Sequence, residues 1–434
     1  MGNVASSEMT QSRQAELPEA LTSAEIFDEF ERCSLRAKVR MLRERGVEFV
    51  IGKREGAYLW NAEGDKRVVD CGTSGGVHSL GHCNQEVADA LVSAIQSGKD
   101  AGLWGLPNYE YVKFCKDLCV HAPCDHLNRA LVTLSSTVSN DVAIMSAFRM
   151  TGRRKILAYQ HGYHGHSGFA ALITGSLEEG VIEHFRLPKD HSAFGDSYGN
   201  IERFRRDLTS EVAAVILEPM NYETFAPAPE GYLAGVVELC RENGSLFILD
   251  ETRSGLGRCG TLWAASLHSV RPDYLITGKG LSGGIYPVSA VVMREEIFEE
   301  SFNTHKHAYI SSLGGNELSC VVGSKVLEIS SRADFLANVL RISESLGSRL
   351  QSVCEEHPNI VRFATIQGMM ATVEVFDRHT ASMLYTRLFD SGVLAHSVST
   401  ISPFVIKLFP PLTINEGIVE EICDVFARAL KEIS

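Results

Sequence analysis

Three polar clusters in this chain each follow a short apolar run, and each holds side chains that can do chemistry. The segment Thr277-Gly-Lys-Gly-Leu-Ser-Gly-Gly-Ile-Tyr-Pro287 sets one lysine, Lys279, among glycines directly after the run Tyr274-Leu-Ile-Thr277. A solvated charge is not expected there, and glycines let backbone approach a ligand closely. A lysine amine withdrawn from water loses part of its preference for the charged form, which suits it to capturing a carbonyl as a Schiff base. The run Ser245-Leu-Phe-Ile-Leu249 ends in Asp250-Glu-Thr-Arg-Ser-Gly-Leu-Gly-Arg258. A carboxylate at the buried end of a core strand is costly unless a cation or donor meets it; a helix N-cap or a structural ion pair would explain it equally well. In Leu134-Ser-Ser-Thr137, followed by a helical pattern to Arg149, hydroxyls occupy a strand-to-helix turn. Free N–H groups at such a turn can receive an anion, and a plain Ser/Thr N-cap is the simpler reading of the cluster alone.

Ligands of α/β sheets gather beyond the carboxyl ends of the strands, so the elements carrying these clusters decide what they can do together. Six apolar runs stand between residues 130 and 293: Ala130–Leu134, Lys155–Ala158, Ala213–Leu217, Ser245–Leu249, Tyr274–Thr277 and Val288–Met293. Short runs without alternation suit strands buried on both faces. Their alternation with amphipathic helical segments argues for an α/β sheet covered by helices on both sides. Before them come a charged helical pattern over Ile26–Arg45 and two strands, one from Glu48 to Ile51 and one within Ala57–Asp70, with a Gly-Asp turn. The tail reads as helix, strands, helix. At 434 residues the chain exceeds the size of a usual single core, and the division expected is an N-terminal segment (1–70), a large domain (71–324) and a C-terminal small domain (325–434).

Composition narrows the function. Hydrophobic residues at 44% and charged residues at 22%, with a mean hydropathy of −0.01, exclude a disordered or collagen-like chain. A net charge of −13 makes nucleic acid an unexpected partner, since that affinity comes from neutralising phosphates. No window approaches the length of a membrane helix, and the first 25 residues lack the apolar core of a secretory signal; a cytoplasmic protein is expected. Eleven cysteines, among them Cys33, Cys71, Cys240, Cys320 and Cys423 in apolar segments, read as reduced, buried thiols. Cys115, Cys119 and Cys124 with His126 could suggest zinc, but Cys115 and Cys119 share a helical face that suits core packing and no paired CxxC knuckle is present. The tract His161, His164, His166 is a glycine-containing loop. No metal is expected.

Taken together, the anion cradle, the Asp at a strand end and the glycine-flanked Lys resemble fold type I pyridoxal 5′-phosphate enzymes. Within these the chain resembles the class III (ω-)aminotransferase family from about residue 45 to its end. The resemblance rests on Tyr58-Leu-Trp, Leu80-Gly-His82, Tyr163-His-Gly165, Glu218-Pro219, Asp250-Glu251, Gly255-Leu-Gly-Arg258, Lys279-Gly-Leu, Gly314-Gly-Asn316 and Pro410-Pro-Leu412, in that order and spacing. It implies a large domain with a mostly parallel seven-stranded sheet, a smaller α+β domain built from both ends of the chain, and a homodimer with shared active sites. It assigns Lys279 to a Schiff base with the cofactor and later proton transfer, and Asp250 to the pyridine nitrogen, which it keeps protonated. Tyr163 and Thr252 would cover the two ring faces. Ser136 and Thr137 would hold the phosphate, which Ser312 would complete in the neighbouring subunit.

The chain also departs from the family. The usual Ser-Gly-Thr-Glu-Ala-Asn turn reads Ser135-Ser-Thr-Val-Ser-Asn140. Arg253 replaces a frequent Gln, Lys407 a common carboxylate-anchoring Arg, and Leu313 an aromatic. Arg253 either grips an anionic group of the substrate or pairs with a nearby carboxylate such as Glu251; Arg and Lys differ here because only Arg offers a two-pronged fork. Glu223 stands where ornithine-type members carry a gating glutamate, with a following loop one residue shorter. The expected reaction moves an amino group between an amino acid or ω-amine and a keto acid or aldehyde. The alternative is a non-transaminating relative: an aminomutase, a decarboxylase or a β/γ-elimination enzyme.

Overall fold

The computed structural model describes residues 21–102, 106–158, 162–174, 201–304, 309, 311–396 and 403–433. The chain divides into two units, residues 1–53 with 60–66 and residues 54–59 with 67–434.

In the smaller unit the expected single helical pattern becomes two helices, Ser23–Cys33 and Arg36–Glu44. The first starts at a capping box: Glu25 N donates to Thr22 Oγ1 and Thr22 N donates to Glu25 Oε2, which satisfies two orphan donors at once. It stops at Ser34, whose N–H closes onto Phe30 O; serine favours such caps over helix interiors. Arg43 reaches Asp28 at 2.5 Å and Glu31 at 2.8 Å, pinning the second helix to the first. Cys33, expected to be buried, is exposed at the end of the first helix, because charged residues dominate that turn. The strand expected at Glu48 begins only at Ile51.

The larger unit is organised by a six-stranded sheet in the order Leu127–Thr133, Ser289–Arg294, Tyr274–Thr277, Leu246–Asp250, Val212–Leu217, Lys155–Ala158. All six apolar runs are strands, and the described residues thus hold six of the seven strands expected. Only Ser289–Arg294 runs antiparallel to its neighbours. Alternate side chains feed two separate cores: Phe247 and Leu249 join Phe114, Leu118 and Val236 on one face, while Leu246 and Ile248 join Val142, Ala143 and Ile173 on the other. The pleat's period of two sends successive residues to opposite faces, so a strand buried on both sides must be apolar throughout. Cys115 and Cys119 pack against the first of these cores.

A three-stranded antiparallel sheet, Val361–Gln367, Met370–Val375 and Val405–Leu408, follows the 23-residue helix Ala333–Glu355; the chain closes with the helix Glu416–Ile433. A further helix, Arg378–Asp390, and the strand Val393–Ala395 stand in the chain between the second and third strands of that sheet, and the strand Val393–Ala395 pairs in parallel with Arg67–Cys71. Arg258, only 1% exposed, ties three segments of this unit together. Its guanidinium donates to Met369 O, Pro410 O and Ser79 Oγ and lies 4.1 Å from the Phe409 ring centroid; burial pushes its pKa down to about 9. Arg258→Leu leaves two buried carbonyls unsatisfied and is expected to lower the unfolding free energy by about 3 kcal/mol. Urea denaturation measures it; a loss under about 1 kcal/mol rejects the clamp.

Candidate active site

Asp250 ends the strand Leu246–Asp250 at 2% exposure. Its Oδ2 accepts from His164 Nδ1 at 2.8 Å and from Asn140 Nδ2 at 3.0 Å, and its Oδ1 accepts from Thr252 N at 3.0 Å. Burial alone would raise its pKa; the bond and charge of His164, with the donors from Thr252 and Asn140, outweigh it and hold the carboxyl below its ordinary value. The result is a carboxylate kept ionised in a dry place.

Lys279 follows the strand Tyr274–Thr277 in a single tight turn, Lys279–Ser282. Its backbone φ is +45°, a left-handed conformation that L-residues seldom adopt and that is typical of functional sites. Its Nζ lies 5.2 Å from the Tyr163 ring centroid. Burial, then the charge of Arg253, pushes its pKa down to about 7 against the opposing pull of Glu218 and Asp250. One nearby glycine makes room for the amine and another for Ser136. A Cβ at Gly75, where φ is +69°, would sit 3.3 Å from Lys279 Nζ, and one at Gly278 would clash with Ser136 Oγ.

Ser135 is the N-cap of the 16-residue helix Ser136–Thr151, its Oγ accepting from Val138 N. The two readings of this cluster thus both hold: Ser135 caps, while Ser136 and Thr137 begin the helix, where N–H groups have no intrahelical partner. One cavity of about 330 Å³ is lined by Ser136, Thr137, Tyr163, Asp250, Thr252, Arg253 and Lys279. Seven of the ten residues singled out in the sequence therefore share it. Glu223, Lys407 and Ser312 are not in its wall. Glu223 and Lys407 are buried and paired with each other at 3.1 Å, whereas Ser312 is exposed.

Arg253 has an anionic partner, and it is Glu218 rather than Glu251: Nη2 and Nε donate to Glu218 Oε1 at 2.5 and 3.2 Å. Glu251 instead accepts from Ser254 Oγ and from Ala264 N and Ala265 N, at the start of a short turn on the other side of the chain. Glu218 Oε2 also accepts from Tyr163 N at 3.0 Å, so one carboxylate positions both the cavity's guanidinium and its aromatic wall. Asn140, His164 and Glu218 were legible only as parts of motifs. Tyr222, which stacks on Tyr163 with centroids 5.1 Å apart, had no local signal. Of the histidine tract, His161 lies outside the described residues and His164 is engaged with Asp250. Among the described residues no group of three or more His, Cys, Asp or Glu side chains is arranged to hold a metal, and no helix is long and apolar enough to cross a membrane.

The residues fit the cofactor that the motifs imply. His164 Nε2, Asn140 Oδ1 and Thr252 Oγ1, all from residues of the cavity wall, are buried without a hydrogen-bond partner among the described residues. The cavity offers hydroxyls and helix N–H groups to a phosphate, an ionised carboxylate to a ring cation, and a neutral-prone amine to an aldehyde.

Comparison with known proteins agrees. The family model of the class-III aminotransferases matches residues 41–430. An uncharacterised aminotransferase from Archaeoglobus fulgidus is 32% identical over 94% of this chain and 94% of its own length. An acetylornithine aminotransferase from Methanopyrus kandleri is 32% identical over 87% of this chain and 93% of its own. Among solved structures, the taurine:2-oxoglutarate aminotransferase of Bifidobacterium kashiwanohense, in complex with pyridoxal phosphate and glutamate, superposes with a TM-score of 0.83 at 23% identity over 96% of this chain and 99% of its own. The motifs, the cavity and these matches converge, and the amino-group-transferring reading stands over the non-transaminating alternative. The chain belongs to the class-III aminotransferases, pyridoxal-phosphate-dependent enzymes that move an amino group between an amine or amino acid and a carbonyl acceptor.

Proposed function

We propose that Lys279 is the amine that would hold the cofactor at its aldehyde carbon, with loss of water, and would move the proton to and from the substrate carbon. The observation that carries this reading is the convergence of Lys279, Asp250 and the helix start at Ser136 and Thr137 on one cavity. When bound, pyridoxal phosphate supplies an aldehyde that captures amines and a ring that takes up the electron pair released at the substrate carbon. Asp250, oriented by His164 and Asn140, holds a proton at the pyridine nitrogen. Ser136 and Thr137 bind the phosphate; Tyr163 and Thr252 confine the ring and exclude water from it.

Arg253 is the cation facing the substrate space, which favours a donor or acceptor with an anionic group. Relatives named for acetylornithine support a substrate of that charge type. Lys407 and Glu223 act from behind the wall, as the buried pair they form. The enzyme works as a homodimer in the cytoplasm, with Ser312 completing the partner's phosphate site; exposed apolar side chains at Leu106, Tyr109 and Leu313 support a face that meets a second copy. In this reading 71–324 is the cofactor domain and 325–434 a smaller domain, with 1–70 as the N-terminal segment.

The direct experiment mixes holoenzyme with a panel of amines and follows the visible cofactor band. Conversion with carboxylate-bearing amines, and slower conversion with uncharged ones, is expected; no conversion with any amine defeats the reading. A pH test probes Lys279 separately. With its pKa near 7, the neutral amine grows about tenfold per pH unit below that value and levels off above it. Cofactor capture by the apo-protein, timed by stopped-flow absorbance, is expected to rise and then flatten around pH 7. A rate still climbing at about pH 10, the ordinary lysine range, rejects the depressed amine.

A further inference from the structure

We propose that Tyr222 is a positioning residue for Arg253, and that the buried Lys407–Glu223 pair holds Tyr222 in place. The inference deepens the reading of Arg253 as the cation facing substrate and rests on it. Tyr222 lies on the loop leaving the strand Val212–Leu217. That loop is closed by its own bonds: Asn221 Oδ1 accepts from Glu223 N at 2.8 Å and Thr224 N at 3.0 Å, and Asn221 N donates to Ala226 O at 2.8 Å. The tyrosine ring is therefore presented from a fixed base.

Two cations lie over that ring. The Arg253 guanidinium is 4.1 Å from its centroid and the Lys407 ammonium 4.3 Å. An aromatic face is electron-rich and attracts cations most strongly where water is excluded; Lys407 is 1% exposed and Arg253 8%. Lys407 Nζ also donates to the backbone carbonyl of Tyr222 and to Glu223 Oε2, both at 3.1 Å. It thus grips the tyrosine by ring and backbone together, with Glu223 neutralising it in place.

Arg253 needs this surface because its carboxylate does not fix its plane. Nε and Nη2 converge on the same oxygen of Glu218. A fork bonded to two oxygens sets the guanidinium plane, whereas a single shared oxygen leaves it free to pivot. The face of Tyr222, itself stacked on Tyr163 with 22° between planes, supplies the missing constraint. Arg253 then presents its remaining N–H donors to the cavity in one orientation. Lys407, which is not part of the cavity wall, would influence substrate through Tyr222 rather than by touching it.

The test uses holoenzyme and two kinds of probe. Glutarate, a dicarboxylate without an amine, is titrated calorimetrically; hexylamine, an amine without an anionic group, is followed by its conversion of the visible band. Tyr222→Leu is expected to weaken glutarate binding about 10- to 30-fold, and to raise KM for carboxylate-bearing donors in proportion while kcat holds. Tyr222→Phe, which keeps the face, is expected within about twofold of the parent. Lys407→Met is expected to weaken glutarate in the same direction by a smaller factor. Hexylamine should distinguish the roles, since its KM has no anion to lose. If Tyr222→Leu does not fold, Tyr222→Gln removes the aromatic face at similar length. The proposal is overturned if glutarate binding stays within about twofold in the Leu or Gln variant, if Phe is as damaging as Leu, or if hexylamine suffers equally. A holoenzyme that converts no amine at all defeats the assignment of Lys279 to amino-group transfer, and the glutarate titration still decides the role of Tyr222.

Discussion

Lys279→Ala is expected to abolish covalent retention of pyridoxal phosphate and to lower turnover by at least about 10⁴-fold. Both losses have one origin. Lys279 Nζ is the lysine amine in the cavity wall, and it is held in a setting that favours its neutral form. On the proposed assignment, alanine removes the nucleophile and the proton carrier in one change, while Asp250, Ser136 and Thr137 would remain to bind the cofactor without a bond. Borohydride treatment and peptide mapping should find label on residue 279 in the parent and none in the variant. Label elsewhere in the parent, or activity within about tenfold in the variant, contradicts the assignment. The variant should fold normally. Position 279 has a positive φ, which costs alanine no less than lysine, but removing a buried amine also removes a desolvation cost.

The second large effect is at Asp250. Asp250→Asn keeps the volume and one acceptor oxygen but not the charge, and it is expected to lower kcat about 10²- to 10³-fold. The cofactor should stay covalently attached, since Lys279 is untouched. A neutral amide cannot hold a proton at the pyridine nitrogen, so the ring accepts electrons poorly. The amide's single oxygen can meet either the His164 and Asn140 donors or the Thr252 N–H, so the donors on the other side face an NH₂ and lose their acceptor. Single-turnover absorbance separates this from weakened binding: the cofactor band should persist while its conversion slows. A variant with unchanged conversion rate would show that the Asp250 charge is not used.

These residues were legible in advance because their signals are local. An apolar run of four to six residues without alternation suits a strand buried on both faces, and the six runs read that way are strands of one sheet. A lone lysine among glycines after such a run, and an aspartate ending another, are likewise visible in one dimension. The break of the first helical pattern at Ser34 was not seen, because propensity there is weak and capping decided it.

By itself the sequence determined which residues stand at the ends of the sheet strands, and so Lys279, Asp250 and the Ser136–Thr137 helix start. Partnership is different. Glu251 neighbours Asp250 in the chain yet turns to the backbone of Ala264 and Ala265, since adjacent residues of an extended segment face opposite ways. Arg253 accordingly meets Glu218, which the strand order places next door. The orientation of Asp250 by His164 and Asn140, and the setting of Tyr222 between Arg253 and Lys407, join segments far apart in the chain. Only the tertiary structure decides such contacts, because charge pairing and ring stacking act through space over a few ångströms and carry no mark along the chain.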